Sequence, residues 1–228
     1  WHMRYGSCGT NTIVYGEGNK NMATNINGFF VGEIEPTTTI AGCISIYERA
    51  WPNPEQTVAR IEQECADADN LVSWQRAETI GGGVKQSRRT NLNLGITYLA
   101  DVDDNAVMQN THNQMNMLLN ATVEPYCKRM GIEGDTRYED YSLLKYSGGQ
   151  NYGAHHDGSG ASTRVVSAIC YLNDDYEGGE LEFPHFGVKI KPQAGMLIVF
   201  PSNFAYAHIA HPVTDGTKYA IVTWINEV

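Results

Sequence analysis

The stretch "QNYGAHHDGSG", residues 150–160, places two histidines and an aspartate inside a glycine-rich segment. In an extended chain, side chains two residues apart lie on the same face. His155 and Asp157 can therefore converge on one point, whereas His156 faces the other way. Such a pair is half of a metal site, and the rest of the chain has to supply a third ligand.

A second histidine-bearing segment, residues 204–210, supplies that ligand. The same alternation places Tyr206, His208 and Ala210 on one face and leaves His211 on the other. Two histidines and one carboxylate on facing strands form the triad that binds Fe(II) with positions left open. Zinc sites usually carry more His or Cys ligands, so iron is favoured over zinc.

Each histidine taken singly is explained more simply as a solvated loop residue or as a hydrogen-bonded core residue. Five of the seven histidines, however, fall between residues 155 and 211. This clustering favours the metal site.

The final predicted strand, residues 217–225, contains a lysine among apolar residues. Lys218 shares one face with Ala220, Val222 and Trp224. A buried lysine without a partner is costly, and the neighbouring strand sequences offer no obvious carboxylate. If this face lines the interior, a ligand carboxylate would complete the pairing; the alternative is an edge lysine that points to solvent.

Composition limits the function classes. The 228 residues carry a formal net charge of −10, which disfavours a nucleic-acid partner. No apolar run approaches the length of a membrane helix, and no secretory leader pattern opens the chain, so we expect a protein without a membrane partner. The five cysteines are scattered and favour a reducing, cytoplasmic location over a disulfide framework.

The pattern of elements predicts an α+β fold. Helices are expected from about Pro54 to Ala68, with Val58, Ile61 and Cys65 on the buried face, and over about 104–130, where Pro125 could introduce a kink. Residues 43–47 and 90–99 alternate like strands. Eight further short strands follow, which indicates a sandwich or barrel with the helices packed outside one sheet: 141–147, 151–157, 164–172, 179–183, 187–191, 196–200, 204–210 and 217–225. We expect a loose arm over 1–27 and a single domain over 28–228, with its catalytic β-core over about 140–228.

Three stretches within residues 146–226 form a combined motif: "YSGGQNYGAHHD" at 146–157, "YLN" at 171–173 with "EGGELEF" at 177–183, and "HIAHPV" at 208–213 with Gly216, Lys218 and "WI" at 224–225. With these stretches, the segment resembles the Fe(II)- and 2-oxoglutarate-dependent prolyl 4-hydroxylases. This family has a cysteine where the chain has His211 and often a histidine where it has Asn226. These departures bear on the substrate more than on the iron chemistry.

The resemblance implies a double-stranded β-helix, a jelly-roll of the cupin kind. It implies Fe(II) on His155, Asp157 and His208, with 2-oxoglutarate chelating the iron. The far carboxylate of 2-oxoglutarate would pair with Lys218 and accept a hydrogen bond from Tyr146. Dioxygen is the second cosubstrate, and ascorbate is the expected reductant for oxidised iron.

The resemblance also suggests residues that face a peptide. Glu139, Arg164 and Trp224 match family positions of this kind, and Arg89 opens a "RTN" stretch similar to the family's Arg-Thr-Ser. The glycine-rich stretch over 81–90 resembles the loop that folds over the substrate, although a plain hairpin tip explains it equally well.

The implied activity is hydroxylation of prolyl residues in a peptide or protein. Hydroxylation of a free amino acid or small metabolite is the main alternative, because the metal triad does not report the substrate. A nucleic-acid demethylating oxygenase would favour a basic groove and an arginine for the cosubstrate. A non-catalytic binding module would show no dependence on metal. Neither the oligomeric state nor the substrate's sequence can be inferred from these patterns.

Overall fold

The structure is a computed structural model. It describes residues 11–12, 25–26, 29–30, 32–67, 72–77, 89–102, 105–158 and 162–228. Most of the arm predicted over 1–27 and the glycine-rich stretch over 81–88 lie outside the described residues.

Among the residues described before position 130, three segments are α-helical: α1 (Pro54–Ala66), α2 (Ile96–Val102) and α3 (Ala106–Arg129). In α1, Ile61 is fully buried while Val58 and Cys65 pack partly buried against the same core, as predicted. The α3 helix continues through Pro125. Proline has no N–H to donate to the Ala121 carbonyl, and the backbone N–H of Ile34 binds that carbonyl instead, at 2.8 Å.

Eighteen strands occur in the described residues. The first nine are β1 (Asn11–Thr12), β2 (Asn25–Ile26), β3 (Phe29–Phe30), β4 (Thr38–Ile40), β5 (Ile44–Tyr47), β6 (Gln75–Arg76), β7 (Leu92–Gly95), β8 (Thr136–Tyr138) and β9 (Ser142–Ser147). The others are β10 (Tyr152–His155), β11 (Arg164–Tyr171), β12 (Glu177–Gly178), β13 (Leu181–Phe183), β14 (Val188–Ile190), β15 (Leu197–Pro201), β16 (His208–Ala210), β17 (Val213–Asp215) and β18 (Thr217–Glu227).

Two sheets form the body of the fold. The larger sheet has the order β4-β5-β15-β11-β18-β9-β7-β6, and β8 pairs with the end of β18. The smaller sheet has the order β1-β14-β13-β16-β10. Within these two sheets, the described strand pairs are antiparallel, with the exception of β1 and β14, which are parallel. The predicted jelly-roll architecture is confirmed.

Alternation along the central strands gives the fold three layers. On β15, Leu197 and Val199 pack towards the helices, whereas Ile198 and Phe200 pack towards the smaller sheet. Strand β18 divides in the same way, with Tyr219 and Ile221 on the helix side. The helices therefore cover the outer face of the larger sheet, as predicted. The space between the two sheets is left for the core and the site.

Two predicted strands begin or end differently in the structure. The predicted strand over 90–99 ends at Gly95, and α2 begins at Ile96. The buried residues Ile96, Leu99 and Ala100 have the spacing of a helix face, which outweighs the alternation seen before them. The predicted strand over 204–210 begins as a 3-10 turn at 204–206, because the side chain of Asn203 accepts a hydrogen bond from the Ala205 N–H.

This second correction changes the environment of Tyr206. It does not share a strand face with His208, as the alternation had predicted. Its ring packs against Phe186, with ring centroids 5.1 Å apart. His208 itself begins β16, so its predicted location on a strand is confirmed.

The turn at Gly178 gives a test of the fold. A Cβ on Gly178 would lie 2.3 Å from the Pro212 carbonyl oxygen, whereas a Cβ on Gly187 would meet nothing within 4 Å. Both glycines have positive φ, so alanine is strained at either position. We expect Gly178→Ala to lower the free energy of unfolding by about 2 kcal/mol more than Gly187→Ala, because overpacking adds to the backbone strain. Urea unfolding of the two variants measures the difference, and equal losses would contradict the close approach.

Candidate metal centre

Three predicted ligands converge between the two sheets. The His155 Nε2 atom lies 3.7 Å from one carboxylate oxygen of Asp157, and His208 Nε2 lies 3.7 Å from the other. Ligand atoms of the three residues all lie within 4.8 Å of one another. All three side chains are largely shielded from solvent, with exposures of 15%, 7% and 5% for His155, Asp157 and His208. The convergence predicted from strand alternation is confirmed, although Asp157 lies two residues beyond the end of β10.

The two histidines are oriented by backbone carbonyls. His155 Nδ1 lies 2.8 Å from the Gly153 carbonyl oxygen, and His208 Nδ1 lies 3.1 Å from that of Tyr206. When each Nδ1–H donates to its carbonyl, the lone pair of each Nε2 faces the centre. This arrangement is the usual way in which proteins fix the tautomer of a metal-binding histidine.

The Asp157 carboxylate is held by its own hydrogen bonds. Its Oδ2 accepts from the Ser167 hydroxyl at 2.7 Å, and that hydroxyl lies 2.8 Å from the hydroxyl of Ser202. Burial opposes ionisation of this carboxyl, but the two neighbouring histidines, Ser167 and the Trp224 side chain together hold its pKa below the ordinary value. The carboxylate is therefore ionised at neutral pH.

The ring of His155 is kept neutral. Burial, followed by the effect of His208, lowers the pKa of His155 to about 3. The ring also stacks on Tyr152, with centroids 3.5 Å apart. A neutral imidazole beside an ionised carboxylate is the state that a divalent cation requires of its ligands.

Lys218 lies across the cavity, 2% exposed. Its ammonium donates to the Gly179 carbonyl at 2.9 Å and lies 4.5 Å from the centre of the Tyr146 ring. Among the described residues, no carboxylate lies within ion-pair distance of it. Burial, followed by the charge of Lys191, lowers the pKa of Lys218 to about 7, although Glu180 acts in the opposite direction. The predicted inward orientation of Lys218 is confirmed.

One pocket contains both the triad and Lys218. Its lining includes the three triad residues, Lys218, Tyr146, Trp224 and Arg89, with a mainly apolar wall completed by Leu144, Tyr152, Ser167, Ala168, Ile169, Tyr171, Leu181, Ala210, Ala220 and Val222. Sequence reasoning missed Tyr171. Its signal was available in the alternation along β11, which places Tyr171 on the same face as Ser167 and Ile169, and all three line the pocket.

The donor set fits Fe(II) and 2-oxoglutarate. Two imidazoles and one carboxylate suit Fe(II) and leave coordination positions open. A buried ammonium with one carbonyl acceptor leaves N–H donors available for a ligand carboxylate. The apolar wall between the two ends suits the methylene groups of a dicarboxylate. The residues present therefore match both groups.

The residues expected to face a peptide form a contact network of their own. Arg164 donates to both carboxylate oxygens of Glu139, at 2.6 and 2.5 Å, and stacks on the Trp224 ring at 3.8 Å from its centre. The Glu139 carboxylate also accepts from the Asn226 side chain at 3.0 Å. Sequence reasoning placed three of these four residues towards a peptide and noted Asn226 only as a departure from the family; it did not predict the contacts among the four.

Arg89 lies at the mouth of the pocket. Its guanidinium is 4.8 Å from the centre of the Tyr152 ring, and its Nε donates to the Asn91 side chain at 3.0 Å. The loop over 81–88, which was expected to cover a substrate, lies outside the described residues. Arg89 also lines a neighbouring polar groove with Arg76 and Gln150.

One segment of the chain is similar to a known protein family. A sequence profile of the 2OG-Fe(II) oxygenase superfamily matches residues 141–226. The matched segment contains all three triad residues and Lys218.

Two similar proteins are named as prolyl 4-hydroxylases. The Arabidopsis thaliana protein named Prolyl 4-hydroxylase 13 is 30% identical over 119 residues, which cover 40% of this chain and 43% of that protein. Another A. thaliana protein, Probable prolyl 4-hydroxylase 9, is 31% identical over 118 residues, covering 39% of this chain and 41% of that protein. This chain therefore spans less than half the length of these two relatives.

A solved structure supports the fold. A prolyl hydroxylase from Trichoplax adhaerens, determined with a peptide fragment of the hypoxia inducible factor oxygen degradation domain, superposes with a TM-score of 0.63 at 18% identity. The superposition covers 82% of this chain and 84% of that one.

In the part of this chain that is described, no helix combines the length and apolar character needed to cross a membrane.

Proposed function

We propose that this chain is an Fe(II)- and 2-oxoglutarate-dependent dioxygenase that hydroxylates prolyl residues of a peptide or protein. The observation that carries the proposal is the shared pocket, in which a triad of two histidines and an aspartate faces a buried lysine with no described carboxylate partner. The prolyl 4-hydroxylase relatives support the choice of proline as the target.

His155, Asp157 and His208 would hold Fe(II), and Lys218, Tyr146 and Tyr171 would hold the distal carboxylate of 2-oxoglutarate. When bound, the iron supplies activation of dioxygen: one oxygen atom enters succinate as 2-oxoglutarate loses carbon dioxide, and the other enters the C4–H bond of proline. The chain's residues position both partners and exclude water. Ser167 donates to the Asp157 carboxylate and so holds the orientation in which it would bind the metal.

Further components follow from the same proposal. Ascorbate is the reductant that would restore iron oxidised in turnovers without substrate. A proline-containing peptide or protein is the partner, and nucleic acid is not, because the chain carries a net charge of −10. The described cysteines are free thiols, which fits a reducing compartment such as the cytoplasm. Residues 28–228 would act as a single domain.

Succinate release tests the proposal. The assay contains Fe(II), 2-oxoglutarate, ascorbate and a panel of proline-containing peptides, and product peptides are analysed by mass spectrometry. Succinate formation stimulated by a peptide that gains one oxygen on proline supports the proposal. Turnover indifferent to every peptide would contradict it.

A second candidate, hydroxylation of a free amino acid, is favoured by one observation. Arg89 brings a cation to the pocket lining, where it could bind the carboxylate of a small substrate. Stimulation of succinate release by free proline or another amino acid, but by no peptide, would select this candidate.

The pH dependence of 2-oxoglutarate binding tests the role of Lys218. Only the protonated lysine attracts a carboxylate, and its pKa of about 7 means that this form is lost as the pH rises above 7. We therefore expect the KM for 2-oxoglutarate to increase by up to about tenfold per pH unit above neutrality. In Lys218→Arg this increase should vanish, since arginine stays charged. A KM that is constant to pH 9 in the unaltered chain would contradict the assignment.

A further inference from the structure

Asn226 lies near the end of β18, 9% exposed. Its amide nitrogen donates to Glu139 Oε1 at 3.0 Å, and its amide oxygen accepts from the Thr163 hydroxyl at 2.9 Å. The two hydrogen bonds define which way the amide points, because Thr163 supplies a donor and the carboxylate supplies an acceptor. Asn226 is thus an oriented donor to Glu139.

Glu139 is held from two sides. Arg164 forms a two-pronged ion pair with its carboxylate, and Asn226 binds the oxygen that the Arg164 Nε also binds. Although burial acts against ionisation, the hydrogen bonds from Arg164 and Asn226 lower the pKa of Glu139. The charges of Arg164 and Glu139 neutralise each other, and this pairing holds the Arg164 guanidinium in place.

The contacts continue to the metal centre. The Arg164 guanidinium lies over the Trp224 ring, 3.8 Å from the ring centre, and donates weakly to the Asp157 carbonyl at 3.5 Å. The Trp224 side chain is in turn one of the groups that lower the pKa of the Asp157 carboxyl. Trp224 also lines the pocket beside the triad. A displacement of Glu139 would therefore reach the wall of the pocket through two successive contacts.

We propose that Asn226 is a positioning residue: by fixing Glu139 and Arg164, it holds the Trp224 indole against Asp157 and so shapes the wall that a peptide meets. This inference rests on the proposed function. Asn226 touches neither the metal position nor the 2-oxoglutarate end of the pocket. Its effect should fall on peptide binding and on the environment of Trp224, with the 2-oxoglutarate end unaffected.

The test uses an isosteric substitution. Asn226→Asp replaces the donor by a carboxylate that repels Glu139, and Thr163→Val removes only the hydrogen bond that orients the amide. Glu227→Gln, on the exposed neighbouring position, serves as the control. We expect Asn226→Asp to raise the KM for peptide about tenfold, as loss of a hydrogen bond to a charged group would, while the KM for 2-oxoglutarate changes less than about twofold. Thr163→Val should show a smaller change in the same direction.

A second readout does not depend on activity. The protein is labelled with 5-fluorotryptophan, and the Trp224 resonance is identified by its loss in Trp224→Phe. In the metal-free protein, this resonance should shift in Asn226→Asp and Thr163→Val and stay in place in Glu227→Gln. The other tryptophan resonances should not move.

Three results would overturn the inference. An unshifted Trp224 resonance in both variants would show that Asn226 does not position the indole. A shifted resonance with an unchanged KM for peptide would show that the position of the indole does not affect peptide binding. Parallel loss of peptide, 2-oxoglutarate and Fe(II) binding with a lower unfolding temperature in both variants would make Asn226 a structural residue. If no peptide stimulates even the unaltered chain, the proposed function fails, and the resonance alone decides whether Asn226 positions Trp224.

Discussion

His208→Ala is expected to lower succinate formation by a factor of about 100 or more. The reason is that loss of hydrogen-bond partners outside a metal's ligand set already costs roughly 10- to 100-fold in metal affinity or activity, and His208 would be a direct ligand. Fe(II) affinity, measured by anaerobic titration, should fall with activity.

His211→Ala is the matched control. His211 lies three residues further along the chain, but its Nε2 is 2.5 Å from Glu182 on the other side of the sheet. We expect the control to retain Fe(II) binding and activity within about twofold. Equal losses in both variants would mean that the effect comes from the strand and not from a ligand.

Lys218→Ala is expected to raise the KM for 2-oxoglutarate about 100-fold, while Fe(II) binding survives. Removing one partner of a buried charge pair typically costs about 2–5 kcal/mol, and each 1.4 kcal/mol is a factor of ten. The effect should be confined to the cosubstrate, since the Lys218 ammonium contacts Gly179 and Tyr146 and not the triad. Initial rates at varied 2-oxoglutarate measure it.

Lys145→Ala is the control for that variant. Lys145 precedes Tyr146 on β9, but its ammonium lies on the helix side, 2.8 Å from Glu62. We expect its KM for 2-oxoglutarate to stay near that of the unaltered chain. If Lys218→Ala lost Fe(II) and 2-oxoglutarate binding together, the lysine would be structural.

The convergence of His155, Asp157 and His208 and the inward orientation of Lys218 could be predicted from the sequence, because side chains two residues apart on a strand share one face. Alternation alone places Lys218, Ala220, Val222 and Trp224 on one face, and all four line the pocket. The same rule failed where a local hydrogen bond competed with the strand. The Asn203 side chain caps a turn at 204–206, so Tyr206 leaves the face on which alternation had placed it.

Contacts between distant segments could not be predicted. Glu139 and Arg164 are 25 residues apart in sequence, and their ion pair exists because β8 and β11 both pair with β18. Neither segment alone shows that the guanidinium is already neutralised or that Asn226 completes the arrangement. Sequence resemblance named Arg164 and Glu139 as peptide contacts, which remains a prediction, but it did not show that they also support Trp224.

Helix α2 shows a third reason why part of the fold could not be predicted from the sequence. Residues 92–95 alternate like a strand, and the helical spacing of Ile96, Leu99 and Ala100 begins immediately after them. A four-residue strand followed directly by a seven-residue helix contains too few repeats of either period to separate the two. Only packing against the common core distinguishes them.

Isotope transfer from labelled dioxygen tests the central claim most directly. The chain is given Fe(II), 2-oxoglutarate, ¹⁸O₂ and the most stimulating proline-containing peptide, and both products are analysed by mass spectrometry. We predict one labelled oxygen in succinate and one on the hydroxylated proline in equal amounts, with both signals lost in His208→Ala. Absence of labelled succinate from the unaltered, iron-loaded chain would contradict the account.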